Sequence, residues 1–262
     1  MSVDRPLERK TILITRERQQ QLAVAKKVRA RGGIPLAFPC LELEPKLDNI
    51  KKAIATLRQG DHVIFTSSNG VHCFSRACER LPAEVLEGMH VCAVGSQTAK
   101  ALREIGIESS IVGDPPSQKG LIHAFEQAGI PHRAFFFRAE KGSDQLVRFL
   151  REHGCETHLV VAYRMRCPTS DASHIVEMIK RGEIDAVLLG SALTVHHYAH
   201  RIGHPELASR PVLVVISEQA AEQAKRDGLH VQVVAKTASF DAMLDALEHY
   251  FAQQEREDHD TA

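Results

Sequence analysis

The sequence predicts an α/β fold built as two similar parallel-sheet lobes by internal duplication, one lobe inserted in the other. Three observations carry this. Short β-branched runs alternate with helical stretches almost throughout the 262 residues, the signature of a β-α-β chain. The apolar runs are too continuous for half-exposed strands, so the sheets are expected to be parallel and covered on both faces. A shift of 122 residues also takes Arg16 to Arg138, Gly32 to Gly154, Gln97 to Gln219, Ala99 to Ala221, Gly106 to Gly228 and Ser117 to Ser239. These matches fall at strand ends and turns. A period this long marks a duplicated lobe and not a solenoid.

In chain order the expected strands are TILIT, IPLAF, HVIFT, VCAVG, SIVG, AFFFR, HLVVAY, AVLLG, VLVVIS and VQVVA. Each is a short β-branched or aromatic run bounded by turn residues. The expected helices are QQQLAVAKKVRARGG, SNGVHCFSRACERL, SQTAKALREIG, SDQLVRFLREHG, TVHHYAHRIG, EQAAEQAKRDG and SFDAMLDALEHYFAQ, several closed by glycine. LAFPCLELEP (36–45) and LVVAYRMRCP (159–168) read as extended crossings, each closed by proline, at matching places in the two repeats. The chain then leaves one lobe at the first crossing and returns at the second. Lobe 1 is 1–38 plus 168–252, lobe 2 is 43–160, and polar QQEREDHDTA (253–262) is expected to be a flexible tail.

Composition narrows the function. With 33 basic and 33 acidic side chains and a formal net charge of +0, neither a nucleic-acid footprint nor a polybasic membrane patch is expected. No leader-like h-region opens the chain, and no window approaches the ~20 apolar residues of a spanning helix. The six cysteines are scattered without a CxxC pair. A reduced cytoplasmic set is therefore expected, without disulfides or zinc. The fifteen histidines form no HExxH-like pairing, so no metal site is expected.

Four turns after strands repeat in register: FTSSNGV (65–71) with LGSALTV (189–195), and VGSQTA (94–99) with ISEQAA (216–221). In open α/β sheets, ligands sit beyond the carboxyl ends of strands, where helix N-termini offer backbone N–H groups to anions. Helix capping alone would explain Ser96, Thr66 and Ser217. Four such turns together favour binding of an anionic molecule. Arg16 and Arg138, at equivalent strand ends, could meet carboxylates bidentately or hold the fold through ion pairs. Lys119 reads equally as a solvated first-turn residue. Tyr163 sits in a crossing, where its hydroxyl could face a cleft or pack in the interior. No GxGxxG, P-loop, nucleophile elbow or Ser-His-Asp spacing occurs, which counts against a nucleotide-dependent enzyme and against covalent catalysis.

Over roughly 11–250 the chain resembles the uroporphyrinogen-III synthase family. The resemblance rests on ILITR, FTSSNGV, AVGSQTAKALREIG, PPSQKGL, FFFRAEKGSDQL, and the AYR that follows HGCETHLVV, in that order. It implies two lobes joined by a two-stranded β-ladder, and a cofactor-independent lyase acting in the inter-lobe cleft. The linear tetrapyrrole hydroxymethylbilane loses its terminal hydroxyl to give an azafulvene cation. Ring D attacks through its substituted carbon, and the spiro intermediate fragments and recloses with that ring inverted. The resemblance assigns Tyr163 to assisting departure of the hydroxyl. It assigns binding to Thr66, Ser67 and Asn69, to Ser96, Gln97 and Thr98, to Ser191, and to Ser217, Glu218 and Gln219. It also implies a monomer in transient contact with the enzyme that makes hydroxymethylbilane. This chain departs from the family at Ser191-Ala192-Leu193, where Ser-Pro-Ser is frequent. It departs again at Ser217-Glu218-Gln219-Ala220, where Gly-Pro-Thr-Thr is common. A non-catalytic or altered relative that binds another anionic small molecule is the alternative these departures leave open.

Overall fold

The computed structural model describes residues 5–260. The chain divides into two compact units, one formed by the residues up to Glu42 and those from Arg166 onward, the other by Leu43–Met165. Both are α/β with parallel sheets.

The first unit holds β1 (Thr11–Ile14), α1 (Arg18–Ala30) and β2 (Ile34–Ala37) from the N-terminal part. From the C-terminal part it takes α8 (Ser173–Lys180), β9 (Ala186–Leu189), α9 (Ala192–Ile202), α10 (Pro205–Ala208), β10 (Val212–Val215), α11 (Glu218–Arg226), β11 (Val233–Val234) and α12 (Phe240–Asp260). Its sheet runs β11-β10-β9-β1-β2, parallel at each pair. Leu13 of β1 packs on one face with Val187 and Leu213, while Ile12 and Ile14 pack on the other with Leu188 and Val214. Alternate side chains therefore feed two cores. This is why AVLL of β9 is buried along its whole length.

The second unit holds α2 (Leu47–Ile54), β4 (His62–Phe65), α3 (Ser68–Ala77), α4 (Pro82–Val85), β5 (His90–Ala93), α5 (Ser96–Glu104), β6 (Ile111–Val112), α6 (Gln118–Ala128), β7 (Arg133–Ala139) and α7 (Gln145–Glu152). The strands β3 (Glu42–Pro45) and β8 (Glu156–Arg166) join its sheet, in the order β3-β8-β7-β4-β5-β6. Val63 and Phe65 face one core, with Phe74 and Phe137, and Ile64 faces the other, with Phe125 and Phe136. The Phe65 and Phe137 rings stack at 5.3 Å, and Phe74 meets both edge-on. That aromatic trio forms the floor beneath the turn after β4.

Three departures from the sequence reading stand out. The run 36–45 is not one extended crossing but β2 and β3 separated by an irregular step. Pro39 has no N–H to continue a ladder. Helices α2, α6 and α8 form over runs for which the sequence predicts no helix. Each buries two or three side chains, too few for a strong periodic signal: Ile50 and Ala53 in α2, Leu121 and Phe125 with Gly120 in α6, Ile175 and Ile179 in α8. Third, α12 continues to Asp260, where a flexible tail was expected from 253 onward. Apolar periodicity reports a packed face, and Gln, Glu and Arg sustain a helix without one. The last two residues of that expected tail lie outside the described residues.

Candidate functional site

The four repeated turns all follow strands at the carboxyl edge of a parallel sheet, and each leads into a helix. Ser67 opens α3, Ser191 opens α9 and Ser217 opens α11, each by accepting the N–H three residues on. The distances are 3.2 Å from Gly70, 3.1 Å from Thr194 and 3.4 Å from Ala220. Ser117 and Ser239 do the same for α6 and α12. Capping thus accounts for Ser217 but not for Thr66 or Ser96. Thr66 lies one residue ahead of the cap, with its N–H on the Phe137 carbonyl at 3.4 Å. Ser96 is already the first residue inside α5, and the cap is Gly95.

That glycine has a packing cause. A Cβ at position 95 would lie 2.5 Å from Cβ of Pro116, so no side chain fits. Among the described residues no side chain therefore caps the N-terminus of α5. Uncapped N–H groups at the positive end of the helix dipole make it the most anion-receptive of the four starts. Ser96 and Gln97 are exposed beside it, and Thr98 is buried. Ser68 Oγ donates to the Gln97 carbonyl at 3.3 Å and ties the two turns of this unit together. Among the described residues, the side chains of Asn69, Ser96, Gln97, Glu218 and Gln219 have no partner, and Glu218 and Gln219 are exposed. Ala220, 122 residues beyond Thr98, is fully buried.

Tyr163 reaches the turn after β4 because β8 carries a bulge. Val161 pairs with Arg138, but the next pair joins Ala139 to Tyr163, so Ala162 is an extra residue. Val160 and Ala162 face the phenylalanine core before the bulge, and Tyr163 and Met165 face it afterwards. The Lys46 N–H satisfies the carbonyl of Ala162 at 2.8 Å, and the Glu140 N–H that of Tyr163 at 2.9 Å. The ring is 7% exposed, and its hydroxyl lies 2.9 Å from Ser67 Oγ. The two line a cavity of about 210 Å³ with Thr66, Gln118, Arg138, Lys141 and Ser143. Since Ser67 Oγ already accepts from Gly70, its proton is available to Tyr163. When Ser67 is the donor of the pair, the phenolic proton is free to point into the cavity.

The two arginines differ. Arg138 is 9% exposed, pairs with Asp144 and donates to the carbonyls of Ala139 (3.1 Å) and Ser143 (3.3 Å). Its guanidinium is occupied within the fold. Arg16 lies over the Phe240 ring at 4.8 Å, and no carboxylate of the described residues forms an ion pair with it. Burial lowers its pKa, with Glu17 opposing. Gly190 makes room for that stack, since a Cβ there would meet Phe240 at 2.8 Å. Of the pair, Arg16 is the one with charge to offer.

Lys119 is exposed and does not line the Tyr163 cavity, whereas its neighbour Gln118 does. Gln118, Lys141, Ser143 and Ser68 were not singled out from the sequence. The PPSQKG and RAEKGSD turns were visible, but which of their residues turns inward depends on α6 and α7 starting side by side. A wider recess along Cys167–Ser173 also exists. Of its cations, Arg201 is taken up by the Phe38 ring, the Pro39 carbonyl and Ser170, and Lys180 pairs with Glu177. Among the described residues no helix is long and apolar enough to cross a membrane.

The chain is similar in sequence and fold to known proteins. The uroporphyrinogen-III synthase HemD family matches residues 23–245. The porphyrin biosynthesis protein HemD of Ruminiclostridium josui is 29% identical over 93% of this chain, which spans about half (49%) of that relative's length. The uroporphyrinogen-III synthase of Synechococcus elongatus is 27% identical over 95% of this chain and 98% of its own. Among solved structures, the synthase of Helicobacter pylori superposes with a TM-score of 0.60 at 16% identity, over 90% of this chain and 97% of that one. A variant of the Thermus thermophilus synthase gives 0.56 at 21%, over 94% and 99%. These structures share the α/β fold. The chain belongs to the uroporphyrinogen-III synthase family.

Proposed function

We propose that this protein converts hydroxymethylbilane to uroporphyrinogen III, with Tyr163 assisting loss of the terminal hydroxyl. The observation that carries the reading is the Tyr163–Ser67 hydroxyl pair on the wall of a cavity at the carboxyl end of a parallel sheet. Protonation of the departing hydroxyl releases water and leaves an azafulvene cation. Ring D closes on it through its substituted carbon, and the spiro intermediate fragments and recloses at the unsubstituted carbon. The protein's task is to hold one conformation, because the substrate closes unaided to the unrearranged isomer. Binding energy spent on that conformation is what directs the outcome.

In this reading the turns of each unit offer groups that suit the substrate's carboxylates. The uncapped start of α5 supplies backbone N–H groups with Ser96, Gln97 and Thr98. Thr66, Ser67 and Asn69 supply hydroxyl and amide groups. Arg16 contributes its stacked, unpaired guanidinium. Ser191 and Ser217 act through the helices they cap, beside Glu218 and Gln219. Arg138 contributes by holding the loop after β7. The chemistry asks for no metal or cofactor, and the protein is expected to act as a monomer.

We also infer that the two units descend from one. The strand order β2-β1-β9-β10-β11 parallels β8-β7-β4-β5-β6, and the 122-residue shift relates their turns. In this reading the sheet neighbours β3 and β8 are taken as the two-stranded ladder.

An isomer assay tests the function. Purified protein receives freshly generated hydroxymethylbilane, and the products are oxidised and separated as type I and type III porphyrins. Mostly type III is expected. Type I alone, at the enzyme-free rate, would favour the alternative raised by Ala220 and Glu218, a relative that binds another anion.

A further inference from the structure

We propose that Lys141 anchors a substrate carboxylate in the Tyr163 cavity, on a loop that Arg138 and Gln118 hold in shape. The proposal rests on the synthase reading and names a contact within the same site. The loop joins β7 to α7. Arg138 bonds to its first carbonyl, Ala139, and to its last, Ser143, and pairs with Asp144 at its end. Gln118 donates to the same Ser143 carbonyl at 2.7 Å and accepts from the Leu146 N–H at 2.9 Å. The backbone at Gly142 runs so close to the guanidinium that a Cβ there would sit 3.0 Å from Nη2 of Arg138. Three backbone groups at the loop's two ends, the carbonyls of Ala139 and Ser143 and the N–H of Leu146, are thus fixed by two side chains from outside it.

Lys141 rides on this frame and lines the cavity. It is exposed, and no carboxylate of the described residues forms an ion pair with it. Arg138, the other cation of the lining, is compensated by Asp144. The remaining polar lining is hydroxyl and amide. One positive charge is therefore left facing the space that holds the Tyr163 hydroxyl, which suits an anionic side chain of the substrate. A flexible ammonium reads charge without demanding one geometry.

Steady-state kinetics of type III formation test the assignment on the full chain. Lys141→Met should raise KM by ~5–10-fold with kcat within ~2-fold, the pattern of a lost binding contact. Lys141→Arg should restore KM to within ~2-fold. The salt dependence of KM should be shallower in Lys141→Met than in the parent protein. Arg138→Gln should raise KM in the same way, and combining it with Lys141→Met should add little, since both act through one contact. A Lys141→Met enzyme with unchanged KM and unchanged salt dependence would overturn the assignment while leaving the synthase reading intact. Absence of type III product from the parent protein would overturn both.

Discussion

Replacing Tyr163 by phenylalanine isolates one hydroxyl, and its effects on stability and turnover can be separated. The ring is 7% exposed and packs with Phe137, Ala162 and Val160; phenylalanine refills the same volume, so no cavity opens. What disappears is the 2.9 Å bond to Ser67 Oγ. A hydrogen bond of this kind contributes about 1 kcal/mol to stability, which corresponds to a fall in Tm of about 2–4 °C for a chain of this size. If the phenol assists departure of the hydroxyl, type III turnover should drop ~10–100-fold, or about 1.4–2.7 kcal/mol of barrier. Because the substrate also closes unaided, slower catalysis appears directly as a larger type I fraction, which stopped reactions resolve by isomer separation. Ser67→Ala removes the same bond and also the α3 cap, so it should cost more stability, about 1–2 kcal/mol. The double variant should be no slower than the slower single one. Type III turnover within ~2-fold of the parent in Tyr163→Phe, with only the small loss of Tm, would refute the mechanism and leave Tyr163 a packing residue.

Three further outcomes are expected. Thr98→Ala should weaken substrate binding by ~1 kcal/mol, about 5-fold in KM; a lower Tm with unchanged KM would make Thr98 a packing residue only. Ala220→Thr places extra atoms at a fully buried position and should cost about 1–3 kcal/mol of stability in denaturant titration; an undiminished midpoint with faster type III formation would instead show that the position belongs to the site. Burial first, and then neighbouring His90, holds the His62 pKa below its ordinary value. The unfolded chain binds that proton more readily, so stability contributed by neutral His62 is complete above about pH 6.5 and declines as pH falls below it. Melting curves of His62→Gln should show a flatter decline over that range than the parent, and identical slopes would remove His62 from the pH response.

The architecture was legible because its signals are local. A strand such as AVLL, buried on both faces, cannot be written without a continuous apolar run, and a glycine such as Gly32, Gly154 or Gly228 marks where a helix turns back. Helices α2, α6 and α8 escaped because two or three buried side chains leave little periodicity. The site was legible as turns but not as side chains. Thr66, Ser67 and Ser96 look alike in sequence, yet only Ser67 is a cap, and Ser96 is displaced from that role because Pro116 reserves the preceding position for glycine. Arg16 and Arg138 are equivalent by spacing; what separates them is Asp144 on one side and the Phe240 ring on the other. Lys141 became visible only once Gln118, from a distant turn, was found gripping the same loop.

The bulge in β8 makes the reach of Tyr163 a matter of counting. Ala162 brings no charge, no hydrogen-bonding side chain and little volume, yet it shifts the strand's parity by one. Exchanging it for another small residue preserves that parity. Were β8 to run in unbroken alternation with Ala162 in place, the phenol would face the opposite side of the sheet, away from Ser67. Deleting Ala162 would instead carry the pairing from Val161 straight to Tyr163 and keep the phenol on its face, so it is the bulge that lets this strand hold one residue more without turning its tyrosine away.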